Sequence, residues 1–391
     1  MSGPAPPPRG GIEQVELAPG VTIPRVINGA WQLSAGHREE APAASDRPAG
    51  PADPIERLLL LARAGLTTFD CADIYTGVEE LLGEALRASA EPLRVHTKLV
   101  PDLAALPHLS RRAVERIIDR SLSRLGVERL DLVQLHWWDY GVPGYVEAAG
   151  WLDDLRRAGK IRHLGATNFD VHRLGEILDA GIELVSHQVQ YSLLDRRPER
   201  GMVELARRHG VGLLCYGTLA GGFLSERWLG APEPEGHATA LANRSLTKYR
   251  LILDEVGPWE LFQELLRALD RIGRRHGVPL STVALRWALD RPGVAAGIVG
   301  VPGARRFSER LAATLAVFSL RLGDDDRTAI DRVLAEARGP EGDVYELERV
   351  PGGRHGAIMR YDLNRMDDPE RQASREPAQE EGSRTSPTAR R

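Results

Sequence analysis

Short apolar or β-branched runs recur along the chain, and several stop on a single polar residue. LTTFD stops on Asp70, LRVHTK on Lys98 and LDLVQLH on His136. Runs of this length bounded by turn signals read as buried strands. The series opens with PRVINGAWQL, ending near Trp31, and continues through LTTFD, LRVHTK, RLDLVQLH, KIRHLGAT, ELVSHQ, VGLLCY and AAGIVG. Helical spacing fills the intervals: from Pro54 to Gly65 behind an Asp53 N-cap, 79–88, 110–125 with Ser110 as cap, 145–158, a helix after Asp170, 199–209, 307–317 and 324–337. Strands that each lead into a helix predict an α/β protein, a (β/α)8 TIM barrel with right-handed crossovers. Extended stretches in 12–24 predict an N-terminal hairpin capping the barrel bottom. Helices at 259–276 and 281–290 are the extra helices near the C-terminus and are expected outside the barrel. An open doubly wound sheet is the alternative, but it usually carries GxGxxG after its first strand, and this chain has no such string.

The rest of the chain breaks these patterns. Residues 1–11 are Pro/Gly-rich and expected to be disordered, 12–345 form the barrel with an inserted loop at 36–52, and 346–391 form a C-terminal extension, disordered from about 368. A net charge of -4 points to neither nucleic acid nor an acidic membrane as partner. The two cysteines, Cys71 and Cys215, have no metal or disulfide spacing, and the N-terminus lacks the apolar core of a signal peptide. No apolar run is long enough for a membrane span. A cytoplasmic protein is expected. His96, His163, His172 and His187 show no ligand spacing, so no metal is expected.

Polar residues at the C-terminal ends of barrel strands sit where such folds place chemistry. Asp70, Tyr75, Lys98 and His136 together suit proton donation near neutral pH. Free tyrosine titrates at about pH 10. A nearby Lys98 ammonium would make Tyr75 a better acid, Asp70 would keep that lysine charged, and a neutral His136 would hydrogen-bond and orient a substrate carbonyl. Trp31 and Trp137, near strand ends, are expected to line an aromatic substrate pocket, and Trp138 fits either a pocket or loop packing.

In this order the motifs resemble the aldo-keto reductase superfamily over roughly residues 15 to 340. FDCADIY resembles the family's Asp and Tyr segment, HTKL its Lys strand and VQLHW its His strand. GATNF and HQVQYS resemble segments that hold the nicotinamide carboxamide, which implies that role for Thr167, Asn168 and Gln188. LLCYGTLAGG implies ring stacking by Tyr216, with Gly217 and Leu219 beside the cofactor. GVPGARRFSERL resembles the adenosine segment, which implies cofactor contacts at Gly303, Arg305 and Arg306. The family interconverts carbonyls and alcohols with NAD(P)(H). Here the Lys-Ser and Arg that hold the 2′-phosphate of NADPH in well-known members are replaced by roughly Gly303, Ala304 and Glu309. Glu309 would repel a phosphate and Arg305 and Arg306 would attract it, so NADP(H) is favoured over NAD(H).

Two other readings stay open. The resemblance includes channel-associated members that hold cofactor and turn over slowly, so a regulatory or binding subunit fits the same barrel. An unrelated barrel enzyme could use Lys98 as a Schiff-base nucleophile. The partner expected on the main reading is a small carbonyl or alcohol. Its identity, the direction of reaction and the oligomeric state are not legible.

Overall fold

The computed structural model describes residues 11–34, 50–234 and 244–364. Two short strands come first, β1 (Gln14–Ala18) and β2 (Val21–Pro24), paired antiparallel. The barrel follows: β3 (Val26–Gly29), β4 (Thr68–Asp70), β5 (Arg94–Leu99), β6 (Leu130–Leu135), β7 (Ile161–Thr167), β8 (Ser186–Gln190), β9 (Gly212–Tyr216) and β10 (Val294–Gly300). Each pairs in parallel with its neighbour, and β10 closes on β3. The first barrel strand is shorter than its sequence suggested. It stops at Gly29, and Trp31 begins a 3-10 turn at 31–33.

Between the strands run α1 (Pro54–Arg63), α2 (Val78–Ala88), α3 (Arg111–Leu125), α4 (Tyr145–Arg157), α5 (Val171–Asp179) and α6 (Met202–Arg208). After β9 come α7 (Arg244–Val256), α8 (Trp259–His276) and α9 (Leu280–Leu289), and after β10 come α10 (Phe307–Ala316) and α11 (Asp324–Leu334). Side-chain caps start several of them. Asp53 accepts from Ile55 N, Ser110 from Ala113 N and Asp170 from Arg173 N, each satisfying an amide that has no helical partner. Helix α6 begins at Met202, because Arg197–Glu199 forms a separate 3-10 turn.

Two apolar regions sandwich the sheet. Helices cover its outside, packing residues such as Leu58, Ile118 and Trp287 against outward strand residues such as Phe69 and Leu164, all fully buried. The barrel interior is a smaller cluster that includes Ile27, Leu132, Leu214 and Ala296. The β1–β2 hairpin closes this lower end, since Leu17, Ala18 and Ile23 join the same cluster. Polar groups replace the apolar layer toward the C-terminal strand ends, and the candidate site lies at that mouth.

The C-terminal segment supplies a feature the sequence did not predict. Beyond α11 the chain turns back and lies against the barrel mouth through residues 341–364. Tyr345 reaches His136, Arg349 donates to Trp137 O, Tyr361 packs on Trp138, and Asn364 donates through its side chain to Val100 O. The expected disorder of 1–10 and from about 368, and most of the 36–52 insertion, lie outside the described residues. Among the described residues no helix is long and apolar enough to cross a membrane.

Candidate active site

Asp70, the last residue of β4, is the hub of the mouth. Its Oδ2 accepts from Lys98 Nζ at 2.7 Å, and its Oδ1 accepts from Gln134 Nε2 at 3.1 Å and Gln188 Nε2 at 2.6 Å. Gln188 also donates to Gln134 Oε1 at 3.1 Å. Strand register produces this layer: Lys98 lies opposite Gln134, and Thr167 opposite Gln188. Asp70 and Lys98 are both nearly inaccessible, and the carboxylate is stabilised by three donors rather than by water. Lys98 gives a second hydrogen bond to Cys71 O at 2.7 Å.

Tyr75 reaches this group from the turn between β4 and α2. Tyr75 N donates to Ala72 O and Val78 N to Tyr75 O, and Gly77 takes a left-handed φ of 77° as the helix begins. Lys98 Nζ lies 5.5 Å from the centroid of the half-buried Tyr75 ring. The expected acidification of Tyr75 is not found here. Burial pushes its hydroxyl well above the ordinary tyrosine value, and the Asp70 carboxylate pushes the same way. Lys98 points its hydrogen bonds at Asp70 and Cys71, so its charge is already matched.

His136 follows β6 directly. Burial, with Arg349 nearby, lowers its pKa to about 3, so the ring is neutral at pH 7. Its Nδ1 lies 3.3 Å from Thr167 O, and a carbonyl oxygen only accepts. Nδ1 therefore carries the proton, and the buried Nε2, which has no partner among the described residues, carries the lone pair. In this tautomer Nε2 offers a lone pair, and the expected hydrogen bond to a substrate carbonyl would need the proton on Nε2 instead.

The expected nicotinamide contacts converge beside this centre. Asn168 has a left-handed φ of 63°, which asparagine tolerates better than most residues, and its N donates to Gln188 O at 2.9 Å. Tyr216 OH donates to Asn168 Oδ1 at 2.9 Å, while Thr167 Oγ1 donates to Gln188 O at 3.2 Å. Asn168 Nδ2 makes no hydrogen bond among the described residues, and Asn168, Tyr216, Gly217 and Leu219 are all half-buried. A carboxamide acceptor and a flat ring fit this donor and this aromatic face. Gln188 differs, because its amide is turned to Asp70. At the expected adenosine end, Gly303, Arg305 and Arg306 lie on the turn before α10, and both arginines are exposed. Arg306 Nε donates to Glu309 Oε2 at 2.8 Å, and this pairing holds the Glu309 carboxyl below its usual range. Any phosphate reaching Arg306 would share it with Glu309.

The tryptophans separate. Trp138, not Trp137, stands edge-on to His136, with centroids 4.3 Å apart. Trp137 is fully buried in its loop, donates from Nε1 to Val142 O and packs on Tyr145, so it does not line a pocket here. Trp31 is half-buried on the turn after β3. Sequence reasoning missed Gln134, although it lies two residues before His136 and so shares its strand face. It also missed Lys248, Tyr345, Glu348 and Arg349 at the mouth. Among the described residues no group of three or more His, Cys, Asp or Glu is placed to hold a metal ion.

Comparison with known proteins gives one consistent answer. The model of the aldo/keto reductase family matches residues 25–335. The chain is 28% identical over 326 residues to aldo-keto reductase AMT2 of Alternaria alternata, covering 74% of this chain and 84% of that protein. It is 28% identical over 340 residues to the NADH-specific methylglyoxal reductase of Escherichia coli (strain K12), covering 81% of this chain and 96% of that protein. Among solved structures, the glycerol dehydrogenase AKR11B4 from Gluconobacter oxydans matches with a TM-score of 0.63 at 25% identity, over 82% of this chain and 94% of that one.

Proposed function

The chain belongs to the aldo/keto reductase family, and from that premise we propose that it interconverts a small carbonyl compound and its alcohol with a nicotinamide cofactor. Asp70, Tyr75, Lys98 and His136 carry the proton chemistry. One observation bears most of the weight: the Tyr75 ring near Lys98, the Lys98–Asp70 pair, and an imidazole nitrogen with no partner among the described residues all lie at one end of a parallel barrel. When bound, the cofactor supplies or takes the hydride. Asn168 and Thr167 would hold its carboxamide end, Tyr216 would face its ring, and Gly217 and Leu219 would lie alongside. Gly303, Arg305 and Arg306 would meet the adenosine end. Arg305 and Arg306, beside Glu309, favour NADP(H) over NAD(H).

In this scheme Tyr75 moves the proton at the reacting oxygen. Lys98 Nζ, held by Asp70 and 5.5 Å from the Tyr75 ring centroid, faces the phenolate formed during turnover. The alcohol's one O–H proton goes to Tyr75, and neutral His136, packed at the same mouth, limits where that oxygen can sit. Burial of Asp70, Lys98 and His136 limits water around the proton path.

The test is titration with NADPH and with NADH, alongside Tyr75→Phe. The variant should lose about a hundredfold or more in turnover while binding cofactor as the parent does. Equal loss of binding and turnover would remove Tyr75 from the proton path. Binding of neither cofactor by the parent would overturn the oxidoreductase reading.

A further inference from the structure

Lys248 is the one lysine of α7 and the least matched cation found near the reaction centre. Its ammonium lies over three tyrosine rings, 4.9 Å from the centroid of Tyr216, 5.4 Å from Tyr345 and 5.9 Å from Tyr249. Tyr249 fixes the helix against the turn after β9, because its ring leaves no room for a Cβ at Gly217 or Gly221. The nearest carboxylate oxygen is Glu348 Oε1 at 4.0 Å, too far for a hydrogen bond, and no described residue accepts one from Nζ. Glu348 is already engaged, since Arg197 gives it two hydrogen bonds at 3.0 and 3.2 Å and is itself paired with Asp195. Three N–H donors thus remain at Lys248, on a side chain that keeps 16% exposure. The ammonium also lies near enough to His136 to help depress its protonation.

We propose that Lys248 is a substrate-recognition residue that binds an anionic oxygen, a carboxylate or phosphate, carried by the carbonyl compound or alcohol. This rests on the oxidoreductase reading and deepens it to a substrate class. The position argues for substrate over cofactor phosphate, because Tyr345 links Lys248 to His136, where the reacting oxygen lies. Glu348 is then the chain's own carboxylate in front of the receptor. It balances the ammonium when no ligand is present and competes with the ligand's anion. The aromatic faces favour a cation between them and strip it of water, which strengthens its attraction for an arriving anion.

The experiment compares succinic semialdehyde with butanal, which share a carbon count and differ in a terminal carboxylate. The ratio of kcat/KM values is measured for the parent, Lys248→Met, Lys248→Arg and Glu348→Gln. The parent should favour the semialdehyde by about tenfold, the worth of a charge-assisted hydrogen bond. Lys248→Met should erase that preference, Lys248→Arg should keep part of it, and Glu348→Gln should raise it. A structural ion pair alone would not yield a gain in Glu348→Gln. If neither aldehyde turns over, calorimetric binding of succinate against butanamide to the cofactor-loaded protein gives the same comparison. An equal ratio in parent and Lys248→Met overturns the proposal. So does weaker NADPH and NADH binding in Lys248→Met with the ratio unchanged, which would assign Lys248 to cofactor phosphate. If Lys248→Met does not fold, no gain in Glu348→Gln overturns it. Failure of the parent to bind either cofactor is the separate failure of the oxidoreductase reading, and succinate binding by the cofactor-free variants then still decides the role of Lys248.

Discussion

Lys98 directs its hydrogen bonds at Asp70 and Cys71 rather than at Tyr75, so its role in holding the barrel together must be separated from any role in proton transfer. Removing one partner of a buried ion pair strands the other charge and costs about 3–5 kcal/mol. Lys98→Met alone should therefore lower both melting temperature and turnover. Asp70→Asn combined with Lys98→Met leaves no stranded charge, since Gln134 and Gln188 still donate toward position 70. The double variant should recover most of the stability and none of the turnover. Thermal melts beside initial rates separate the two roles, and recovery of both would mean that Lys98 serves packing only. Asp70, Lys98 and His136 were legible because each terminates an apolar run. Gln134 was harder to see, since a glutamine inside LDLVQLH reads as a minor break in a strand.

The C-terminal segment shows why some elements cannot be read from pattern. Residues 341–364 contain no long helix or strand, only 3-10 turns at 347–349 and 356–358. Their buried groups include Glu348 and His355, which a hydropathy reading assigns to solvent. Their partners, among them Arg197 and Glu255, lie far away in sequence. The barrel strands and helices carry their own periodicity and are legible, whereas this segment is held by contacts that only the closed barrel creates. Arg349 is its main fastener. It donates to Trp137 O at 2.8 Å and stacks 4.1 Å from the Tyr140 centroid. Arg349→Ala should remove about 2 kcal/mol of local stability from a charged hydrogen bond and a cation–π contact. Amide exchange across 343–361 should then speed up while the barrel strands keep their protection. Unchanged exchange would shift the fastening to the Arg197–Glu348 pair together with the His355 and Asn364 contacts.

For the whole molecule, acid should be more damaging than the modest net charge suggests. Burial holds His136 at about 3, and His96 and His187 at about 4, against an ordinary 6.5. Between pH 6.5 and 4 the unfolded chain takes up these protons and the folded barrel does not. Stability therefore falls as pH falls, by about 1.4 kcal/mol per pH unit for each histidine. Asp73 opposes them. Burial, with Glu79 beside it, raises its carboxyl to about 8 from 3.8, so the folded state keeps a proton that the unfolded chain releases. Its contribution is present below pH 3.8 and is lost as pH rises toward 8. Three histidines against one aspartate leave unfolding coupled to the uptake of two protons, or roughly 3 kcal/mol per pH unit near pH 5. Below pH 4.5 Glu348, held at about 2, adds to the acid loss. Chemical denaturation at intervals from pH 8 to pH 5 tests this directly. Asp73→Asn, which can still accept from Val100 N, should stabilise the protein at pH 7 and steepen its acid dependence by about one proton. His96→Gln should flatten that dependence by about the same amount. A parent whose stability is level from pH 6.5 to pH 5 would mean that these imidazoles titrate inside the folded barrel, as in the unfolded chain.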